Sequence, residues 1–183
     1  MDWATYENLL RAAHSDDELC KAIVNGPFAD RSITTDLGLG IIVLLLVNEK
    51  TKTIDRVALS NTDPAVGAVR MSARPFHEIK IPLTEKNNIL VKAVSSGKPQ
   101  VTSDWQYLFT PVLTAQEARF NQFGAGIDHS IVYPLHNKQD GTVPAAIIFS
   151  YFELPHDIGA EHNEFMGQVV ERVEQYLPTL LVK

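Results

Sequence analysis

Cysteine and positive charge are both scarce in this sequence. Cys20 is the single cysteine among 183 residues. An internal disulfide framework, a cysteine-rich metal site and a paired-cysteine redox centre are therefore excluded. Lysine and arginine number 16 against 22 aspartates and glutamates, which gives a net charge of −6. Because nucleic acids are bound through clustered basic side chains, we expect no nucleic-acid partner.

Long hydrophobic runs are also missing. The longest apolar stretch, residues 41–47, is far shorter than the roughly 18 residues that a membrane-spanning helix needs. The first residues do not form a positively charged start followed by an apolar segment, so no secretion leader is indicated. These absences predict a cytoplasmic protein without a membrane partner.

The composition that is present is that of a globular protein. Hydrophobic residues make up 45% and charged residues 21% of the chain, which argues against disorder. The length suits one domain with a sizeable core. Because no repeat, low-complexity tract or linker interrupts the chain, we predict a single domain over residues 1–183.

Both ends of the chain show helical periodicity. Tyr6, Leu9 and Leu10 recur at helical spacing, and Ser15 with Glu18 has the form of a capping box. These patterns predict helix over about residues 3–24, in two pieces or one bent helix. Apolar residues near the other end predict a long amphipathic helix over 160–178: Met166, Val169, Val170, Val173, Tyr176 and Leu177.

Strand patterns occupy the region between these helices. A buried strand is predicted at 41–47, with a hairpin partner at 54–59. Alternation predicts a half-buried strand at 77–81. A second hairpin is predicted from strands at 127–135 and 145–152, around an Asp-Gly turn.

The middle of the chain is less regular. Residues 60–74 have the composition of a loop. A short amphipathic helix is predicted around residues 89–93. The stretch 102–126 is irregular and aromatic, with one helix predicted at 114–123, capped by Thr114.

Together these elements predict an α+β fold. Hairpin strands are antiparallel neighbours, so the sheet is antiparallel, with about five or six strands. We expect the terminal helices to cover one face. The helices and loops of residues 61–126 must then cover the other face.

Several strings in this layout resemble the GAF domain family, within a broader GAF/PAS-like architecture. The similar strings are Gly40-Ile41-Ile42-Val43, Ser96-Gly97-Lys98-Pro99, Val101-Thr102-Ser103-Asp104 and the hairpin that starts with Asp128-His129-Ser130-Ile131-Val132-Tyr133-Pro134-Leu135. The resemblance covers about residues 15–177. It implies a small-molecule sensor or a dimerisation module, with the ligand between the sheet and the loops that precede this last hairpin.

The sequence departs from three specialised groups of that family. The cyclic-nucleotide-binding members carry an NKFDE signature after the last strand, where this chain has Tyr151-Phe152-Glu153-Leu154. Bilin-binding members attach their chromophore through a cysteine in the loop region. Free-methionine sulfoxide reductases of this fold use cysteines in the pocket. Cys20 lies in the first helical segment instead, so neither chromophore attachment nor sulfoxide reduction is implied. We expect no cofactor.

An aromatic group in the middle segment is the leading candidate for a pocket. Its members are Trp105, Tyr107, Phe109, Phe120 and Phe123. Aromatic walls with a few polar groups are typical of small-ligand sites, although the same residues can serve as ordinary core. Arg74, Phe76 and His77 would join the same cavity, with Arg74 as the partner of a carboxylate or phosphate; alternatively, Arg74 is a surface residue.

The tripeptide Asp128-His129-Ser130 invites comparison with a catalytic triad. Neighbouring side chains on a strand point to opposite faces, so His129 is expected to face away from Asp128 and Ser130. A triad needs all three groups to converge. We therefore expect either His129 alone, or Ser130 with Asp128, to face the ligand.

A metal site is not predicted. His156, Glu161, His162 and Glu164 match no tight zinc spacing, and acidic residues there suit the start of a helix. Cys20 has apolar neighbours and is expected to be a buried structural thiol.

The sequence therefore predicts a non-catalytic GAF-like protein. It would bind an unknown small molecule between the sheet and residues 61–126 and form a homodimer through its terminal helices. With no kinase, cyclase or DNA-binding segment after the last helix, any signal would pass to a separate protein. One alternative is a structural dimerisation module without a ligand. Another is a small enzyme using His77 or His129 as base, which needs two converging titratable groups.

Overall fold

The computed structural model describes residues 1–153 and 158–181. A six-stranded sheet in the order β3-β2-β1-β6-β5-β4 forms its centre, and each neighbouring pair of strands is antiparallel. The strands are β1 (Leu39–Asn48), β2 (Thr53–Leu59), β3 (Lys80–Pro82), β4 (Gln100–Thr102), β5 (Ile127–Leu135) and β6 (Ala145–Phe152). This confirms the predicted α+β class.

The two central strands are apolar on both faces. In β1, Ile42 and Leu44 point into one core while Ile41, Val43 and Leu45 point into the other. Strand β6 alternates in the same way. A sheet whose central strands bury both faces requires a cover on each side.

The terminal helices form the first cover. They are α1 (Trp3–Arg11), α2 (Asp16–Asn25) and α8 (Ala160–Leu181), with the single-turn α3 (Ser32–Thr35) beside them. Ser15 caps α2 by accepting the Glu18 N–H at 3.2 Å. Arg172 of α8 pairs with Glu7 at 2.9 Å and lies over the ring of Trp3. The predicted placement of the terminal helices on one face is confirmed.

The second cover, which we call the middle layer, consists of four helices. They are α4 (Asp63–Met71), α5 (Ile89–Ser96), α6 (Gln106–Phe109) and α7 (Ala115–Ala125). Thr114 and Glu117 close a full capping box at the start of α7, as predicted. The face of the sheet that lies toward the middle layer is therefore covered mainly by helices rather than by loops.

The prediction of a loop at residues 60–74 was wrong. Helix α4 occupies most of that stretch, with Pro64 in its first turn, where proline's missing N–H costs nothing. Ala65 is fully buried. Gly67 lies so close to α7 that a Cβ there would be 3.3 Å from the Gly124 carbonyl oxygen. The glycine that suggested a turn in the sequence thus serves a close helix crossing.

The strand predicted at 77–81 was only partly correct. Residues Phe76–Glu78 form a 3-10 turn, and β3 begins at Lys80. Only Ile79 and Ile81 are buried in this stretch, and a 3-10 turn followed by a short edge strand produces the same spacing of apolar residues. Among the described residues, no helix is both long and apolar enough to cross a membrane.

Two glycines give opposite predictions for stability. A Cβ on Gly26 would lie 2.5 Å from the ring of Tyr6, which is buried and donates a hydrogen bond to the Ile23 carbonyl. We expect Gly26→Ala to lower the free energy of unfolding by about 1–3 kcal/mol, because the ring cannot move without repacking α1. Urea denaturation would measure the change.

Gly167→Ala is the matched control for this substitution. Gly167 lies inside α8, and a Cβ there would meet nothing within 4 Å. We expect this variant to gain about 0.5–1 kcal/mol, because alanine loses less entropy in a helix. Equal effects of the two substitutions would contradict the packing described here.

Candidate functional site

A small cavity lies between the sheet and the middle layer. Its volume is about 30 Å³. Ile41 and Val43 of β1 and Ile148 of β6 form an apolar floor, and Ala68 and Val69 of α4 contribute to the opposite side. Phe76, Trp105 and Phe109 also line it. A water occupies roughly 10–15 Å³ on such a scale, so the cavity has room for two or three water-sized groups.

The polar groups of the cavity come from several elements. Arg56 belongs to β2, Ser72 follows α4, Asn121 belongs to α7 and Ser150 to β6. All but Arg56 are neutral. Arg56 is thus the only group among the described lining residues that carries a full charge.

A β-bulge positions Arg56. Ala58 pairs with Leu44 and Arg56 pairs with Leu45, which leaves Val57 as the extra residue of β2. Opposite Leu45, the Arg56 side chain lies on the same face of the sheet as Ile54 and points toward the middle layer. Val57 is 38% exposed.

The guanidinium of Arg56 has aromatic neighbours, and its Nε has no hydrogen-bonding partner among the described residues. Its central carbon lies 4.1 Å from the ring centre of Phe76 and 5.1 Å from that of Phe109. The residue as a whole is half-buried, and its Nε is shut off from solvent without an acceptor. Burial lowers the pKa of Arg56 to about 9, since no described carboxylate compensates the charge.

Arg119 on α7, unlike Arg56, is paired with a carboxylate. Its Nε and Nη2 both donate to Asp104 Oδ2, at 2.9 and 2.8 Å. The same carboxylate accepts the Gln106 N–H at 2.9 Å. Burial acts to raise the pKa of Asp104, but the hydrogen bonds from Arg119 and Gln106 outweigh it and lower the pKa.

Asn121 is the second unpaired polar group at the cavity. Its side chain is 5% exposed, and its Oδ1 is buried without a donor. Buried amides normally find partners, because an unsatisfied polar group costs about 1–3 kcal/mol. Arg56 and Asn121 therefore bring two unmet hydrogen-bonding groups to one small cavity.

Trp105 is held firmly at the wall of this cavity. Its indole N–H donates to Ser130 Oγ at 2.9 Å, and Ser130 is hydrogen-bonded to Ser150 at 2.8 Å. Its backbone N–H donates to Gln122 Oε1 at 2.8 Å. Because both N–H groups of Trp105 are already hydrogen-bonded, the residue offers a ligand the surface of its ring but no free donor.

The predicted site residues fall into two groups. Phe76, Trp105 and Phe109 line the cavity, and Ser130 supports it through Ser150 and Trp105. The structure places the remaining six away from the cavity walls: Arg74, His77, Tyr107, Phe120, Phe123 and His129. Phe123 is 84% exposed, because it lies on the outer side of α7. Arg74 is exposed just before the 3-10 turn, and His77 is exposed within it.

The expected separation of Asp128 and His129 was wrong. The register of β5 against β6 shifts between Ile127 and His129, so strict alternation fails there. His129 Nδ1 contacts Asp128 Oδ2 in an ion-pair geometry at the surface. Ser130 points the other way, to Trp105, so the three residues do not converge as a triad.

Sequence reasoning missed Arg56 and Asn121. Arg56 follows Ile54 by two positions, and the period of two in strands places both on one face; this signal was present in the printed sequence. Asn121 had no comparable signal. It lies in α7 among Phe120 and Gln122, and only the docking of α7 on the sheet shows that it is buried.

Residues considered as metal ligands or nucleophiles have other surroundings. His162 accepts the Gly159 N–H at 3.1 Å and donates to the Leu37 carbonyl at 3.2 Å, while His156 lies outside the described residues. No group of three or more potential metal ligands occurs within residues 1–153 and 158–181. Burial, with a smaller contribution from Asp16 and Asp17, raises the pKa of Cys20 to about 11.

Comparison with known proteins gives similarity at the level of structure. No family model matches the sequence, and no curated protein matches it. The GAF domain of a phosphoenolpyruvate-protein phosphotransferase from Coxiella burnetii matches with a TM-score of 0.61 at 12% identity, over 98% of this chain and 96% of that chain. The GAF domain of a two-component sensor histidine kinase from Bacillus halodurans matches with a TM-score of 0.60 at 13% identity, over 92% and 97%.

An enzyme is also among the similar structures. Free methionine-R-sulfoxide reductase from Neisseria meningitidis, in complex with its substrate, matches with a TM-score of 0.59 at 13% identity, over 97% of this chain and 87% of that chain. At such identities the likeness concerns the fold alone. The chain has a GAF-like fold, as its sequence resemblance predicted.

The unpaired charge of Arg56 leads to a stability prediction. Arg56→Met removes the charge and keeps an unbranched apolar side chain. We expect the free energy of unfolding near neutral pH to rise by about 1–3 kcal/mol, because replacing a buried charge by a packed apolar group is often stabilising. Urea denaturation would measure this difference, with Arg74→Met, an exposed arginine, as a control expected to change by less than about 0.5 kcal/mol.

The same substitution has a pH signature. Because burial lowers the pKa of Arg56 to about 9, we expect the folded chain to lose this proton at a lower pH than the unfolded chain does. The destabilisation caused by the charge should then be full below pH 9 and decrease above it. The gap in stability between Arg56→Met and wild type should therefore narrow by about 1 kcal/mol from pH 8 to pH 10. A variant less stable than wild type near pH 7 would contradict this account of Arg56.

Proposed function

We propose that this GAF-fold protein binds a small molecule between the sheet and the middle layer, as a non-catalytic sensor. The observation that carries the proposal is the presence of two buried, unpaired polar groups, Arg56 Nε and Asn121 Oδ1, at one cavity. Leaving such groups unmet lowers stability. A bound molecule that hydrogen-bonds to them would recover that cost and would be recognised by them.

The chemistry of the cavity favours binding over catalysis. Arg56 is the only titratable group among its described lining residues. General acid–base catalysis uses a group whose pKa lies near the working pH, and a nucleophile needs an adjacent base. His77 and His129, considered as bases, lie outside the cavity lining. Cys20 stays a thiol at neutral pH, because burial raises its pKa.

Binding at Arg56 would reach the terminal helices through β2. The Arg56 side chain lies on the cavity side of this strand, while Ala58, two positions on, packs in the core beneath the terminal helices. Phe76 and Val69, which line the cavity, also line a surface groove with Cys20 and Lys21 of α2. A ligand that moved Phe76 would therefore change the surroundings of α2, and with it the surface offered to a separate signalling protein.

A structural interaction module is the second candidate, and exposed apolar side chains favour it. Val66 and Val69 of α4 and Phe120 and Phe123 of α7 are 40–84% exposed. Such side chains are typical of surfaces that contact other proteins. In that case the small cavity would be a packing defect, and no metabolite would stabilise the fold.

A screen for thermal stabilisation tests the sensor proposal. We expect at least one small polar or charged compound to raise the melting temperature of wild type and to shift the indole N–H resonance of Trp105. Trp3 is the second of the two tryptophans and packs beside Phe165 in the terminal-helix core, so its indole signal is an internal control. A library without any such compound, together with slow hydrogen exchange throughout residues 61–126, would reject the sensor and favour the module.

Self-association through the terminal helices is a separate prediction. Leu9 of α1 is the one large apolar side chain of the described terminal helices that is more than about a third exposed, at 43%. We expect wild type to sediment as a dimer and Leu9→Glu to sediment as a monomer, because a charge would be buried in the interface. Phe123→Ser, on the opposite layer, should remain dimeric.

Two outcomes would contradict this interface. A monomeric wild type would reject dimerisation itself. Dissociation caused by Phe123→Ser but not by Leu9→Glu would move the interface to the outer face of α4 and α7.

A further inference from the structure

We propose that the ligand of this cavity is a small monocarboxylate whose carboxylate group pairs with the Arg56 guanidinium. This inference rests on the proposed function and adds the chemical class of the ligand. Formate, acetate and glycolate represent the class by size and charge. The proposal depends on the charge, the geometry and the volume of the cavity.

Charge is the first argument. Arg56 carries the only full charge among the described lining residues, and the carboxylates of Asp55 and Asp104 have other partners. Asp55, next to it in β2, faces the opposite side, where it accepts from Thr53 at 2.6 Å and pairs with Lys80 at 3.6 Å. Asp104 is held by Arg119. A monoanion would neutralise the Arg56 charge, whereas a dianion such as phosphate would leave one negative charge uncompensated in a cavity with an apolar floor.

Geometry is the second argument. The rings of Phe76 and Phe109 lie within cation–π distance of the guanidinium, and such contacts engage the planar faces rather than the N–H edge. The Nε–H on that edge has no acceptor. Arginine presents Nε–H and one Nη–H as parallel donors, which match the two oxygens of a carboxylate. A halide or a neutral carbonyl would satisfy one of these donors but not both.

Volume and the remaining polar group are the third argument. A cavity of about 30 Å³ has room for few non-hydrogen atoms, which excludes nucleotides and sugars unless the walls move. Ile41, Val43 and Ile148 suit a short apolar group. The unpaired Oδ1 of Asn121 can accept from a hydroxyl group next to the carboxylate. A two-carbon carboxylate with an adjacent hydroxyl group, such as glycolate, meets all these conditions.

Titration of the full chain by nuclear magnetic resonance tests the proposal. Acetate and glycolate are added to ¹⁵N-labelled protein at constant ionic strength, and acetamide serves as the neutral isostere of acetate. We expect both carboxylates to shift the Trp105 indole and the Arg56 Nε–H signals with saturation, while the Trp3 indole stays in place. Acetamide should bind at least tenfold more weakly than acetate.

Variants identify the group responsible. Arg56→Met should weaken acetate binding at least tenfold, because the paired charge is lost. Arg56→Lys keeps the charge and should bind with intermediate affinity, because an ammonium lacks the parallel donors. Arg74→Met, an exposed arginine outside the cavity, should bind acetate as wild type does. If Arg56→Met fails to fold, the comparison of acetate with acetamide on wild type still decides the question.

The possible failures are distinguishable. Equal binding of acetate and acetamide, or acetate binding that survives Arg56→Met, overturns the carboxylate proposal and leaves small-molecule binding in place. Tighter binding of inorganic phosphate than of either carboxylate, lost in Arg56→Met, also overturns it. If neither the carboxylates nor any compound of the stability screen shifts Trp105, both this proposal and the proposed function are rejected.

Discussion

Two central strands that are apolar on both faces determine the rest of this structure. Side chains of β1 and β6 alternate between two cores, and neither face can be left to solvent without exposing a large apolar surface. The terminal helices cover one face, so the segment between β2 and β5 has to cover the other. A cover must also satisfy its own backbone hydrogen bonds where it is buried. This explains why residues that have the composition of a loop form α4 instead.

The middle layer leaves buried polar groups without partners, and Arg56 is the main one among the described residues. Burying a charge without a partner costs several kcal/mol, and contacts with Phe76 and Phe109 offset about 2 kcal/mol of this cost. The aliphatic stem adds some apolar packing. Asn121 repeats the pattern, since it is buried with an unpaired oxygen. Local disagreement between burial and polarity is characteristic of functional positions, whereas the surrounding groups Trp105, Ser130 and Gln122 are well satisfied.

The sequence predicted those parts of the fold that depend on short-range patterns. The bounds of β5 and β6 were predicted as observed, because a strand's period and the turns beside it are local signals. The cap at Thr114 was found for the same reason. The residues of the site were harder to predict than the strands. Some aromatic residues of α6 and α7 face the cavity and others face solvent: Phe109 lines the cavity, while Phe123 is exposed. Which face of a short helix is buried depends on how it docks, and only tertiary contacts decide that.

The bulge at Val57 changes how Arg56 should be sought in distant relatives. Counting backward in steps of two from Leu59, which faces the cavity, arrives at Val57 and not at Arg56. Counting forward from Ile54, at the hairpin end of the strand, arrives at Arg56. An alignment anchored on the end of this strand would therefore pair the arginine with a residue of the wrong face. An alignment anchored on the turn between β1 and β2 would keep the arginine in its correct column. The one-residue gap that accounts for the bulge should then be placed inside β2 rather than in the loop that follows it.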